Sequence, residues 1–257
     1  MSDSGIQLQQ QDGILTIRFN RPAKKNSVTT AMYAAMAEAL HSAAGDSAVR
    51  VILFAGAPDS FSAGNDMRDF LRDQDPGDNN PILRFMRGLS QLDKPVLAAV
   101  NGLAIGIGVT LLLHCDLIYA GQGTRFQLPF VNIGICPEFA STFILPRTIG
   151  HMRAAELTLF GDFFSADQAL EYGLINAVLP AAEVEAHALE RAHILAQKPP
   201  AALRATKQLL KRWTRADIDQ AIRVEADHFL PMLKGPEVKE AVSAFTEKRK
   251  PDFSRFY

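Results

Sequence analysis

A chain of 257 residues that is 47% hydrophobic and 21% charged fits a soluble globular protein with a sizeable core, as one large domain or a domain plus an appendage. Its 27 basic and 28 acidic side chains leave a formal net charge of -1, so charge gives no argument for nucleic acid or an anionic membrane as partner, though a local basic cluster could hold a small anion. The start MSDSGIQLQQ lacks the charged and apolar regions of a secretory signal, and no apolar run has the length of a membrane span, so a cytoplasmic chain is expected.

In chain order, ILTIRF (14–19) reads as a strand, TTAMYAAMAEALHSAAGD as a helix and VRVILFAG (49–56) as a second strand. The segment APDSFSAGND follows, then the polar RDQDPGDNNP (72–81), expected as a loop near residue 76, then a helix and the strand KPVLAAV (94–100). Past Leu117 the strands shorten to LIYA and LINAVL, and Ser165 with Gln168 has the spacing of a capping box, with Gly173 placed to end that helix. From about residue 183 the pattern is helical, with breaks expected at Pro199, Pro200, Pro231 and Pro236. The organisation predicted is an α/β core over 1–182 and a helical C-terminal region over 183–257.

Two glycine-bearing segments, FSAGND (61–66) and NGLAIGIGVT (101–110), each follow a predicted strand, where α/β proteins place their sites. Gly102, Gly106 and Gly108 allow close backbone approach, and a helix over Val109–Leu113 would aim its first N–H groups at the loop. Tight backbone packing explains the same glycines. A dinucleotide site does not fit, because the third glycine and the acid after a second strand are missing. Six histidines and two cysteines, Cys115 and Cys136, show no metal-ligand spacing, so no metal is expected and both cysteines read as core. Ser60, Ser62 and Ser141 lack the setting of a serine nucleophile. Asp66, Asp69 and Asp73 read as a solvated helix face, with Asp66 a possible cap, and His114 as a core residue. In VNIGICPEFAST (131–142), Glu138 stands alone among apolar residues. It is either a partly solvated carboxylate at the start of the helix FASTFILPRTIG or a desolvated base with a raised pKa.

Taken together and in order, FSAGNDMRDF, KPVLAAVNGLAIGIGVTLLLHCDLIYA, RFQLPFVNIGICPE and FTEKRKPDF resemble the signature segments of the crotonase, or enoyl-CoA hydratase/isomerase, superfamily. The resemblance runs from RPAKKNSV (21–28) to the C-terminal tail. It implies a crotonase-like spiral of ββα turns, a C-terminal helical region used for assembly as a homotrimer or dimer of trimers, and an acyl-CoA thioester as partner. Coenzyme A would be part of the substrate, with no further cofactor. The oxyanion hole of that superfamily falls on the backbone N–H groups of Asn65 and Ile107, beside Gly64, Gly106 and Gly108. Polarising a thioester oxygen needs two fixed donors, which backbone amides supply without reorganisation. Ala63 would line the adenine-binding loop, and Arg21, Lys24 and Lys25 would lie near the CoA phosphates, although a solvated surface accounts equally for the lysines.

Within the superfamily, the two glutamates of hydratases correspond here to Thr110 and Phe130. A double-bond shift needs one base, and Glu138 stands where peroxisomal-type 3,2-enoyl-CoA isomerases carry theirs, in a similar PEG setting; SGND of that subgroup also resembles AGND here. Phe139 replaces the small residue after the glutamate, and Ile107 a common glycine. The expected activity is isomerisation of 3-enoyl-CoA to trans-2-enoyl-CoA. A hydratase or another acyl-CoA lyase, and a catalytically silent acyl-CoA-binding trimer, are the alternatives. The tail SRFY is not the S-K-L peroxisomal address.

Overall fold

A computed structural model describes residues 4–70 and 79–256. Most of the loop expected around residue 76, and Asp73 with it, lie outside the described residues. The chain opens with β1 (Ile6–Gln11) and β2 (Ile14–Phe19), then α1 (Thr30–Gly45), β3 (Val51–Ala55), α2 (Met67–Phe70) and α3 (Pro81–Ser90). Next come β4 (Val96–Val100), β5 (Leu103–Ile105), α4 (Ile107–Thr110), β6 (Leu117–Gly121) and β7 (Arg125–Gln127). Then follow α5 (Ser141–Ile149), α6 (His151–Phe160), β8 (Phe163–Ser165), α7 (Ala166–Glu171) and β9 (Ala177–Leu179). The last stretch is helical: α8 (Val184–Ala196), α9 (Pro200–Lys211), α10 (Arg215–Leu233) and α11 (Pro236–Glu247).

Six strands form one sheet in the order β1-β2-β3-β4-β6-β9, and three short ones form a second in the order β5-β7-β8. Apart from the antiparallel β1/β2 pair, the large sheet is parallel. Its central strands are apolar throughout because both faces are covered. Ile52 and Phe54 face the main core, packed with α1 and α3, while Val51 and Leu53 face α8 through Val184, Ala188 and Ala192. Each such side chain, fully buried, is worth about 1.5–3 kcal/mol. Successive turns send a strand to the large sheet, a short strand to the small one and then a helix, as in β4-β5-α4; this is the expected ββα spiral.

Local chemistry sets the helix starts. Asn80 accepts from the Ile82 and Leu83 amides ahead of Pro81, and the Ser165–Gln168 capping box is formed in both directions. The sequence reading differs from the structure in several elements. β1 was not foreseen, because this edge strand is glutamine-rich and exposed. The helix expected over Val109–Leu113 begins earlier, at Ile107, and tightens to a 3-10 turn over Leu111–His114. Pro231 does not break its helix but lies in the last turn of α10, where only the bond to residue 227 is forfeited. Asp66 and Asp69 are not a solvated face: Asp66 pairs with Arg21, and Asp69 accepts the Thr30 amide at 2.6 Å, fastening α2 to the start of α1. No described helix is long and apolar enough to cross a membrane.

Candidate active site

The segment after β3 is laced to β5. Phe61 N–H donates to Asn101 O at 2.8 Å, Ser62 N–H to Leu103 O at 3.0 Å, and Ile105 N–H to Ser62 O at 2.9 Å, so Ser62 and Ala104 form a parallel bridge. Three residues beyond each partner stand Asn65 and Ile107. On either side of Asn65, Gly64 O accepts from Val28 and the Asp66 amide donates to Val28 O, both at 2.8 Å. Among the described residues, neither the Asn65 nor the Ile107 amide has a hydrogen-bond acceptor. Two glycines permit this arrangement. Gly106 takes φ 55°, ψ -118°, a conformation closed to other residues, and a β-carbon at Gly108 would lie 2.9 Å from Ser62 O. The Asn65 side chain is also fixed, since the Tyr33 hydroxyl donates to its Oδ1 at 2.6 Å.

The basic segment 21–28 is stitched to the same loop. Ala63 N–H donates to Lys25 O, Asn26 Nδ2 to Ser60 O and Ser62 Oγ to Asn26 O, at 2.8–3.0 Å. Arg21 is committed to Asp66 Oδ2 at 2.7 Å and to Ser27, and Lys25 pairs with Asp59. Lys24 and Lys25 are exposed on this rim, with Ala63 half-buried beside it.

Glu138, ahead of α5, is 5% exposed, with Oε1 buried and without a partner among the described residues. Burial first, and the charge of Glu225 second, push its carboxyl up to about 8. It is therefore not the solvated cap of α5. The carboxylate at the start of α5 is instead Glu225 of α10, itself buried, which accepts from Ala140 N–H at 2.5 Å, Thr142 N–H at 2.9 Å and Thr142 Oγ1 at 2.6 Å. Between them the backbone is left-handed at two non-glycine residues, Phe139 (φ 61°) and Ala140 (φ 56°), each costing about 1–2 kcal/mol.

Phe139, after the glutamate, is buried and lines the same pocket. Its ring stacks on His114 at 3.9 Å, and its carbonyl accepts from His114 Nε2 at 2.8 Å. Burial drops His114 to about 3, so it is a neutral donor. Glu138, Glu225 and Phe139 share a cavity of about 50 Å³ with Met86, Ile222 and Phe229.

Tyr33 joins the two parts of the site. It bonds Asn65, and its own pKa is raised by burial and then by the neighbouring Glu138 charge, so the phenol stays protonated. Thr110 and Phe130 are buried, and Thr110 Oγ1 has no partner among the described residues. Ser62 and Ser141 spend their hydroxyls on Asn26 O and Glu138 O. Among the described residues no group of three His, Cys, Asp or Glu side chains could hold a metal ion. Sequence reasoning missed Asn26, Tyr33 and Glu225. Asn26, at φ 56°, gave the faint signal of an asparagine ending a polar turn, whereas Tyr33 and Glu225 sit in ordinary helical patterns.

A family model described as enoyl-CoA hydratase/isomerase matches residues 9–255, and the chain belongs to that family. Over 253 residues it is 35% identical to 1,2-epoxyphenylacetyl-CoA isomerase of Escherichia coli (strain K12), covering 95% of this chain and 96% of that protein. It is 32% identical to 2,3-dehydroadipyl-CoA hydratase of the same organism, covering 97% and 98%. The crystal structure of an enoyl-CoA hydratase/isomerase from Pseudoalteromonas atlantica T6c superposes with a TM-score of 0.93 at 34% identity, covering 97% of this chain and 99% of that one. This protein is thus a crotonase-superfamily acyl-CoA enzyme.

Proposed function

We propose that the enzyme isomerises 3-enoyl-CoA to trans-2-enoyl-CoA, with Glu138 as the sole proton carrier. The observation that carries this reading is the buried Glu138 carboxyl, whose Oε1 is free and whose pKa is raised to about 8. Such a carboxylate takes the C2 proton of a 3-enoyl thioester, and the negative charge moves to the thioester oxygen. The Asn65 and Ile107 amides receive that oxygen, each worth about 3 kcal/mol toward the transition state. A carboxyl titrating near working pH then returns the proton to C4, which places the double bond at C2–C3. Arg21, Lys24, Lys25 and Ala63 line the side from which the CoA moiety is expected to approach.

Relatives bear both isomerase and hydratase names. Thr110 and Phe130 favour the isomerase, because neither can activate water or deliver its proton. The exposed Met152, Leu210 and Trp213, each about 80% accessible, support burial against further copies of the chain, as a homotrimer or dimer of trimers.

Turnover of 3-hexenoyl-CoA and crotonyl-CoA by the wild type and by Glu138→Gln tests the reaction. Isomerisation lost in the variant is expected. Crotonyl-CoA hydration that survives the substitution, with no isomerisation by the wild type, would refute the proposal, and CoA-thioester binding without any turnover would favour a silent binding protein. Deuterium exchange at C2 or C4 without net hydration reports the proton shuttle directly.

A further inference from the structure

We propose that Glu225 is the positioning residue of the base: from α10 it grips the two amides that follow Glu138 and sets a fixed negative charge beside that carboxyl. The inference rests on the proposed role of Glu138. Three observations carry it. Glu225 is 6% exposed, yet its two oxygens receive three donors, all from Ala140 and Thr142, two and four residues beyond Glu138. The intervening turn is left-handed at Phe139 and Ala140, a geometry that relaxes unless something holds it. Both carboxyl groups line one small apolar cavity.

Glu225 is not itself a second base, because its oxygens are occupied by those donors, whereas Glu138 Oε1 has none among the described residues. Burial raises both carboxyls, but only Glu225 has hydrogen bonds opposing the rise, so it is the member that stays charged. The other titratable groups around Glu138 are neutral. Tyr33 from α1 keeps its proton, His114 behind Phe139 is an unprotonated imidazole, and burial holds the Cys136 thiol up. Among the described residues, the charge acting on Glu138 comes from the C-terminal helical region, nearly ninety residues away along the chain.

The test compares the assembled wild-type enzyme with Glu225→Gln and Glu225→Asp, using 3-hexenoyl-CoA across pH 5–10 and carbon-13 NMR titration of the Glu138 carboxyl. In Glu225→Gln the Glu138 titration and the acid limb of kcat/KM move down together by about one pH unit, because the charge is gone. In Glu225→Asp the charge stays but the grip is short, so the limb holds while kcat falls about tenfold and KM is little changed. An unmoved Glu138 titration in folded Glu225→Gln overturns the proposal. Should that variant not fold, undiminished kcat in Glu225→Asp overturns it instead. Isomerisation that survives Glu138→Gln would remove the proposed reaction but not the NMR-detected pairing, so the two failures are distinguishable.

Discussion

Residues 61–66 and 103–108 hold their amides largely through backbone bonds to neighbouring strands, whereas residues 136–142 hold Glu138 through side chains sent from distant elements, His114 and Glu225. The first arrangement sits in relaxed strand pairing with glycine at the positions that need it, Gly64 and Gly106 with positive φ and Gly108 against Ser62; the second contains two strained non-glycine residues and two buried carboxyls. Donors of fixed polarity need only geometry, and the sheet provides it. A proton carrier needs a tuned affinity, which depends on burial and on charge and therefore on partners from elsewhere in the fold.

Glu138→Gln breaks one half and leaves the other: kcat for 3-hexenoyl-CoA falls about 10³-fold with KM nearly unchanged. Gly108→Ala breaks the opposite half, because its β-carbon meets Ser62 O at 2.9 Å and Ser62 Cβ at 3.1 Å and displaces the Ile107 amide. There kcat falls about 10²-fold, the loss of one oxyanion donor. The pH profile sharpens the contrast, since kcat/KM rises through about 8 in the wild type as Glu138 ionises, and Gly108→Ala leaves that limb in place.

The same raised carboxyl makes stability depend on pH. A Glu138 titrating at about 8 when folded, against 4.5 ordinarily, contributes fully below pH 4.5 and loses that contribution as pH rises through 8. Thermal and urea unfolding should therefore find Glu138→Gln more stable than the wild type at pH 9, by roughly 4–5 kcal/mol, with the gap closing toward pH 4. Tyr33→Phe gives the smallest effect. It frees the Asn65 side chain while the bonds of Gly64 and Asp66 to Val28 keep the Asn65 amide in its loop, so kcat drops by no more than about two- to threefold and the unfolding midpoint changes little.

Much of the fold was legible. Val51–Ala55 and Val96–Val100 are strands buried on both faces, and such strands appear as unbroken apolar runs, while Ile14–Phe19 showed as a β-rich run despite Thr16 and Arg18. The small sheet was not, because β5, β7 and β8 are three residues each and exist only through mutual pairing. In the site, the glycines of the two strand-end loops were visible as local signals, whereas the Asn65 and Ile107 amides were reached only through the resemblance to the superfamily. Glu138 stood out as an isolated charge. Tyr33 and Glu225 were invisible, since each occupies a helix whose periodicity says only that one face is buried.

The sequence by itself determined the alternation of strands and helices, the two glycine-bearing loops at strand ends and one isolated acid in an apolar run, all consequences of pattern and spacing along the chain; the ββα spiral and the pair of amides followed from the resemblance to the crotonase superfamily. The tertiary structure decided what that acid is. It brought Glu225 from α10 to the turn after Glu138, placed Tyr33 between Glu138 and Asn65, and excluded water from the carboxyl. Burial and the Glu225 charge set the proton affinity, because an ionisation free energy depends on the charges and solvent in space around a group and not on its neighbours in sequence.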